Sequence, residues 1–205
     1  ALLIGGGVDN PVGDFTSSME VLRTDLFQQY GIKKLGVAGH PEGSPDIPPA
    51  DVTSALLEKN AYAKEHGMEM YITTQFCFEA EPIIEWDKRI RGEGNELPIH
   101  IGIPGLATIK TLMGHAKACG IGPSIRVLTR QAANIAKLMT TRMPDKITRQ
   151  LARYQAEDAD CGITQCHLYP LGGIKKSAAW MYAVMDGDFE LNDDDGFELT
   201  RELDI

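Results

Sequence analysis

The sequence predicts an α/β protein whose sheet is parallel and whose strands are joined by helices. Five apolar segments alternate with segments of helical periodicity, most of them ten or more residues long. Parallel neighbours need crossover connections of that length. No Asn-Gly hairpin turn separates adjacent strands, so nothing indicates antiparallel pairing. Two architectures fit this pattern: an open doubly wound sheet and part of a (β/α)8 barrel.

The predicted strands are short apolar runs, and most end in glycine or are followed directly by proline. β-favouring residues dominate the third of them, which reads Met-Tyr-Ile-Thr-Thr-Gln-Phe. In chain order the five strands are Leu2–Gly6, Lys34–Gly39, Met70–Phe76, Leu97–Ile103 and Ile163–Tyr169.

The predicted helices carry apolar residues three or four positions apart and have Pro or Gly at their ends. Pro48 and Pro49 open a helix that continues through His66, and Gly67 closes it. The other predicted helices are Ser17–Tyr30, Glu81–Ile90, Thr108–Ala118, Ser124–Met139, Asp145–Glu157 and Ser177–Met185. We expect residues 1–185 to form the barrel unit, and residues 186–205 to be a solvated, mobile acidic tail.

Composition excludes several classes of protein. The 20 Lys and Arg against 29 Asp and Glu give a net charge of −9, which disfavours nucleic-acid binding through phosphates. No apolar run approaches the length needed to cross a bilayer. The four cysteines form no CxxC pair. We therefore expect no metal site, a reducing cytoplasmic setting and buried cysteine side chains.

Candidate functional residues follow the strands, where either architecture places its chemistry. Glycines follow the first strand, at positions 5–7. His40, Glu42 and Ser44 share the loop after the second strand, and Gln75 closes the third. The chain has no nucleophile elbow, Walker A loop or HExxH motif. That leaves redox or transfer chemistry in which a cofactor performs the difficult step.

Three of these segments, taken in order, resemble the methylenetetrahydrofolate reductase family. They are Val37–Pro45 (Val-Ala-Gly-His-Pro-Glu-Gly-Ser-Pro), Ile72–Glu79 (Ile-Thr-Thr-Gln-Phe-Cys-Phe-Glu) and His167–Leu171. The resemblance implies a (β/α)8 TIM barrel with FAD at its carboxyl face, in which NADH or NADPH reduces the flavin. The flavin then reduces 5,10-methylenetetrahydrofolate to 5-methyltetrahydrofolate, or runs in reverse, in the one-carbon metabolism that supplies methionine.

The resemblance also implies roles for residues near the flavin ring. Gly7 and Asp9 fall where the family contacts the flavin, and the charge of Asp9 would tune the flavin potential and folate affinity. His40 takes the aromatic position of the family's Ala-x-Tyr-Pro-Glu loop. Ser44 stands where the family usually has a histidine that contacts FAD.

The resemblance implies binding roles for four further residues, two on a helix and two at strand ends. Asn60 and Lys64 share a helix face one turn apart, where Lys64 could neutralise the FAD diphosphate. Gln75 resembles the glutamine that hydrogen-bonds the pterin ring, and Tyr169 is placed with it in folate binding. The implied catalytic residues are Asp9 and Gln75.

Five strands would be the fourth to eighth of such a barrel, so the resemblance implies a missing N-terminal segment of about 90 to 100 residues. The family's general-acid glutamate, on the first strand, has no counterpart here. We expect a homo-oligomer.

One alternative is a non-catalytic folate- or flavin-binding homologue or subunit, suggested by Ser44, by Leu57 in place of an aspartate and by the absence of an arginine after Tyr169. Another is an unrelated doubly wound enzyme that uses His40 and Glu42 as acid and base.

Overall fold

A five-stranded parallel sheet forms the centre of the protein. The computed structural model describes residues 1–5, 12–44, 47–119, 129, 139 and 141–204. The sheet strands are, in order of both space and chain, β1 (Leu2–Leu3), β2 (Lys34–Gly39), β3 (Glu69–Phe76), β4 (Ile99–Pro104) and β7 (Ile163–Tyr169). A doubly wound sheet would reverse its strand order, and this one does not. The α/β class with parallel β/α units is confirmed, and the arrangement is consistent with part of a TIM-like barrel.

The predicted strand bounds agree closely with the structure. β2 and β7 have the predicted limits, β3 starts one residue earlier at Glu69, and β4 is shifted to Ile99–Pro104. The first predicted strand reduces to Leu2–Leu3, and its end at Gly6 lies outside the described residues. Two short antiparallel pairs accompany the sheet: β5 (Ala107–Thr108) with β6 (Thr141–Arg142), and β8 (Phe189–Leu191) with β9 (Phe197–Leu199).

Seven helices lie within the described ranges: α1 (Ser18–Leu22), α2 (Leu26–Gln29), α3 (Pro49–His66), α4 (Glu81–Gly92), α5 (Ile109–Ala118), α6 (Asp145–Glu157) and α7 (Ile174–Asp186). The prediction of a single helix over 17–30 was wrong. Asp25 adopts a left-handed conformation with φ 57°, which ends the helical path and separates α1 from α2. The other predicted helices match to within three residues at each end, except Ser124–Met139, which falls almost entirely outside the described residues.

One face of the sheet packs against the helices. Right-handed crossovers between successive neighbours place their helices on the same face of the sheet. Alternate residues of the strands join side chains of α3, α4, α6 and α7 in one apolar cluster, which includes Leu35, Val37, Ile72, Ile99, Ile101, Leu56, Trp86, Leu151 and Trp180.

The opposite face of the sheet is aromatic and polar. The Tyr71 and His100 rings stack with centroids 4.1 Å apart, and the Lys34 ammonium lies 5.5 Å from the Tyr71 centroid. A Cβ atom on Gly36 would lie 2.7 Å from the Tyr71 ring, so a side chain at this position would displace the ring. In a barrel, this face would line the interior.

A buried carboxylate connects the helices to the last sheet strand. Asp87 of α4 is 1% exposed and accepts hydrogen bonds from Tyr154 Oη at 2.6 Å and from the Gly162 amide at 3.2 Å. Burial raises the pKa of Tyr154, and the bond to Asp87 raises it further. The Arg91 guanidinium forms two 3.1 Å bonds with Asp158. These contacts join α4, α6 and the turn before β7, and so fix where β7 enters the sheet.

The C-terminal segment differs from the solvated tail that the sequence predicts. Phe197 of β9 is 5% exposed, and its ring lies 6.1 Å from that of Trp180 and 4.9 Å from that of Phe189. Asp195 accepts hydrogen bonds from Arg153 and Gln150 of α6. The expectation of a solvated end was wrong for this hairpin, because its aromatic residues join the core. The proposed boundary at residue 186 stays a prediction.

The cysteines are all free, but only one is fully buried. Cys77 is buried and Cys161 half-buried, whereas Cys119 and Cys166 are exposed. The expectation of uniform burial was wrong because Cys119 follows the end of α5 and Cys166 lies on an outer strand of the sheet. Within the described residues, no helix has both the length and the apolar character needed to cross a membrane.

Candidate functional site

The carboxyl ends of the strands bring three of the predicted site residues to one edge of the sheet. Parallel strands end on the same side, so the residues that close β2, β3 and β7 lie along one end of the sheet. His40 directly follows β2, Gln75 lies at the end of β3, and Tyr169 closes β7. The topology therefore assembles these residues from segments separated by up to about 130 positions of sequence.

His40 is half-buried and its side chain lies near that of Gln75. Its Nδ1 atom is buried and has no hydrogen-bond partner among the described residues. Burial lowers the pKa of His40, and the nearby charge of Lys59 lowers it as well, against the raising effect of Gln75. A neutral imidazole has one donor and one acceptor nitrogen, so His40 can offer a polar atom to a ligand.

A bulge at the end of β3 determines the backbone geometry around Gln75. The pairing of β3 with β4 shifts between Thr73 and Phe76. There Thr74 Oγ1 accepts a 2.7 Å bond from the Gly102 amide and donates a 2.8 Å bond to the Gln75 carbonyl. A Cβ on Gly102 would lie 2.6 Å from the carbonyl oxygens of both Thr74 and Gln75. Glycine at 102 thus permits the irregularity, a device common beside functional sites.

Tyr169 forms an aromatic wall at this edge. Its hydroxyl donates a 2.8 Å hydrogen bond to the Thr74 carbonyl. Its ring meets those of Phe76 and His167 edge-on, with centroids 5.6 and 4.8 Å away. Burial raises the pKa of Tyr169. Because the Tyr169 hydroxyl donates its proton to the Thr74 carbonyl, it can only accept a hydrogen bond from a ligand.

Asn60 and Lys64 are not brought to this edge. Asn60 is 6% exposed and bonds to Leu56, to Asn95 and to the amide of Glu96, at 2.9, 3.0 and 2.8 Å. Lys64 Nζ lies 2.6 Å from Glu96 Oε1. Asn95 and Glu96 precede β4, at the amino ends of the strands. Both side chains therefore anchor a loop at the far end of the sheet from His40 and Gln75.

The remaining predicted residues are only partly described. Ser44 is half-buried in the loop after β2. Burial raises the pKa of the Cys77 thiol, and the charge of Glu42, in the same loop, raises it further. Gly7 and Asp9 lie outside the described residues, so their roles near a flavin stay predictions.

Sequence reasoning missed Lys59 of α3. This lysine is 8% exposed and lines a cavity together with His40. Its position carries a usable signal: Lys59 lies three residues after Leu56 and four before Ala63, on the apolar stripe of the helix. A charged residue on that stripe is unexpected and indicates either a paired ion or a site.

The comparison with known proteins is consistent with the resemblance seen in the sequence. The chain is 35% identical over 77 residues to methylenetetrahydrofolate reductase 2 of Saccharomyces cerevisiae. The matched segment is 38% of this chain and 12% of the relative, so only a small part of the relative is represented. The chain matches no protein-family profile. Over part of its length, it is thus similar to a methylenetetrahydrofolate reductase.

Proposed function

We propose that this chain is part of a flavin-dependent (β/α)8 oxidoreductase. Its substrate would be a tetrahydrofolate derivative, with 5,10-methylenetetrahydrofolate reduced to 5-methyltetrahydrofolate, or the reverse, and NADH or NADPH as hydride donor. One observation carries the proposal: the strand ends that resemble the reductase family lie along a single edge of the sheet, where His40 and Gln75 are close together. The partial similarity to the yeast reductase supports it.

The carboxyl end of the sheet, at His40 and Gln75, suits the isoalloxazine ring of FAD better than the diphosphate. His40 Nδ1 is a buried polar atom with no hydrogen-bond partner in the described ranges, and Gln75 offers an amide, so a ring with donor and acceptor edges has partners here. FAD, when bound, supplies the hydride transfer. Asn60 and Lys64 do not fit the diphosphate, because their side chains bind the loop at Asn95 and Glu96.

Gln75 is the residue that recognises the pterin. Its amide both donates and accepts, which matches the adjacent donor and acceptor atoms of an amide-like ring edge. The rings of Phe76 and Tyr169 restrict water at the same edge, which strengthens such polar contacts.

The test is a kinetic comparison in the full-length protein. Its visible spectrum should show bound flavin, and NADH oxidation should depend on methylenetetrahydrofolate. Gln75→Ala should raise the folate KM about tenfold, since a lost hydrogen bond that leaves polar atoms unpaired costs on the order of 1–2 kcal/mol. The KM for NADH should change less than twofold.

Gln29→Ala is the matched control, because Gln29 is exposed on α2, away from the carboxyl ends of the strands. It should leave both constants unchanged. Equal effects of Gln75→Ala on the two KM values would contradict pterin recognition by Gln75. A protein that neither binds flavin nor oxidises NADH with folate present would contradict the reductase proposal as a whole.

A second candidate function is folate or flavin binding without turnover. It is favoured by Ser44 and Leu57 at positions where the family has His and Asp, and by Gly172-Gly173 where an arginine is expected. Calorimetry would then show binding of the folate or the flavin by the full-length protein in the absence of any redox activity. Measurable turnover would exclude this function.

A further inference from the structure

The outer face of helix α7 is apolar. Trp180 and Ala183, on the opposite face of this helix, belong to the buried interior and are at most 2% exposed. Ile174, Tyr182 and Met185, by contrast, are 76%, 62% and 73% exposed. Polar residues normally occupy the outer face of a helix that packs on a core. These three side chains therefore form an apolar surface that no other described part of the chain covers.

Helical spacing aligns this surface along the whole of α7. Ile174, Ala178, Tyr182 and Met185 are separated by four, four and three positions, so they lie within a sector of about 80° around the helix axis. We call these four residues the α7 stripe. The helix has 13 residues and is about 20 Å long, and the small Ala178 near its middle permits close approach of a second helix.

The charges at the two ends of α7 oppose the helix dipole. Lys175 lies in the first turn and Asp186 is the last residue, whereas a helix is stabilised by acidic residues at its start and basic residues at its end. Both charges flank the same side of the α7 stripe, about 20° apart around the axis. This placement does not serve the stability of α7 itself.

The present partners of these two charges are weakly held. Lys175 pairs with Asp204 at 3.5 Å, and Asp186 pairs with Arg201 at 3.2 Å. All four side chains are exposed, and exposed ion pairs contribute little to stability. Lys175 and Asp186 can therefore exchange these contacts for others at little cost.

We propose that the α7 stripe binds the same stripe of a second copy of this chain, with the two helices antiparallel about a two-fold axis at the middle of α7. Such symmetry places Lys175 of each copy opposite Asp186 of the other. Each charge then meets both an opposite charge and the favourable end of the facing helix dipole. A second copy is the occupant that fits, because the two ends of α7 are complementary in charge to each other.

The expected dimer is weak. One pair of helices of this length buries less than the roughly 1,200 Å² at the lower limit of a standard interface. We therefore expect reversible association with a Kd in the micromolar range. Tyr182 and Met185 belong to residue types enriched at interfaces and supply its desolvated centre, whereas Lys175 and Asp186 lie at the rim and fix the antiparallel register.

Sedimentation velocity of the full-length protein over a series of concentrations measures this association. Tyr182→Glu puts a charge at the centre of the stripe and should raise the dimer Kd by more than about tenfold, because that charge would have to be desolvated. Tyr30→Glu, at an 81% exposed position after α2, is the matched control and should leave the Kd unchanged. Circular dichroism checks that both variants fold.

Charge reversal tests the antiparallel register. Lys175→Glu and Asp186→Lys should each raise the Kd several-fold, since each places like charges opposite each other in the dimer. The double variant reverses both charges in both copies, restores opposite pairing and should return the Kd to within about threefold of the parent value. Lys110→Glu, which makes the same change of charge at an exposed position of α5, should have no effect.

The proposal is overturned if folded Tyr182→Glu associates as the parent does, or if the double charge variant associates no better than the single variants. A full-length protein that stays monomeric at every concentration also overturns it. A fall in the Tm of Tyr182→Glu in that monomer would show that another part of the same polypeptide covers the stripe. None of these measurements uses redox activity, so this proposal and the reductase proposal fail separately.

Discussion

Tyr169 Oη donates a 2.8 Å hydrogen bond to the carbonyl oxygen of Thr74, and thereby joins β7 to β3 across the intervening strand β4. The bond ends at the bulge that precedes Gln75. An aromatic residue at the end of one strand thus supports the backbone that presents the proposed pterin ligand.

Tyr169→Phe should lower the free energy of unfolding by about 1–2 kcal/mol, because it removes a partly buried hydrogen bond and leaves the Thr74 carbonyl unpaired. Urea denaturation measures this loss. Tyr182→Phe is the matched control, since Tyr182 is 62% exposed and its loss should be within about 0.5 kcal/mol. Equal stability of the two variants would mean that the Thr74 bond does not support the edge.

Asn60→Ala and Lys64→Ala should differ strongly in their effect on stability. Asn60 forms three hydrogen bonds in a buried setting, and its loss should cost about 2–4 kcal/mol in urea denaturation because several partners become unsatisfied. Lys64 forms one exposed ion pair, which is worth at most about 1 kcal/mol.

The same two variants test the cofactor role that the family resemblance implies for these residues. If both serve the amino-end loop, Lys64→Ala should leave the flavin content of the purified protein unchanged. A large loss of flavin in Lys64→Ala, with stability retained, would restore the diphosphate role and contradict the placement described here.

Phe197→Ala should destabilise the protein by about 3–5 kcal/mol, the usual cost of removing a buried aromatic side chain. The ring of Phe197 is 5% exposed and contacts those of Trp180 and Phe189. Phe15→Ala, at a 48% exposed position, is the control and should cost far less. A negligible effect at Phe197 would show that the hairpin is the solvated tail that the sequence suggests.

Stability should fall as the pH drops below about 6.5, the ordinary histidine value. Burial lowers the pKa values of His40, His100 and His167 below that point. At a pH between the folded and unfolded pKa values of these histidines, the unfolded chain binds more protons than the folded protein, so acidification favours unfolding. The contribution of the three neutral histidines to stability is fully present above pH 6.5 and is lost as the pH falls through their folded pKa values.

Urea denaturation at pH 7.5 and 5.5 measures this dependence. His167→Gln should reduce the loss of stability between the two pH values, whereas His115→Gln, at an exposed position on α5, should not. An unchanged pH dependence in His167→Gln would show that this imidazole does not contribute.

Local patterns in the sequence predicted most of the fold. The alternation of apolar runs with helical periods, bounded by glycine and proline, depends only on residues that are close in sequence. Accordingly, β2, β7 and α6 have the predicted limits. The same patterns located His40, Gln75 and Tyr169 at strand ends, because parallel strands must end on a common side. The break at Asp25 escaped prediction, since a left-handed aspartate has no distinctive local signature.

Tertiary structure decided what each polar side chain contacts. Counting along a helix placed Asn60 and Lys64 on one face, but only packing shows that this face meets the loop at Asn95 and Glu96. Lys59, one residue away, is turned into a cavity. A helix period of 3.6 residues assigns relative directions, whereas the identity of the neighbouring element depends on residues more than thirty positions distant. For this reason the sequence determined the order of the elements and the ends that carry chemistry, and the tertiary contacts decided which residues form the site.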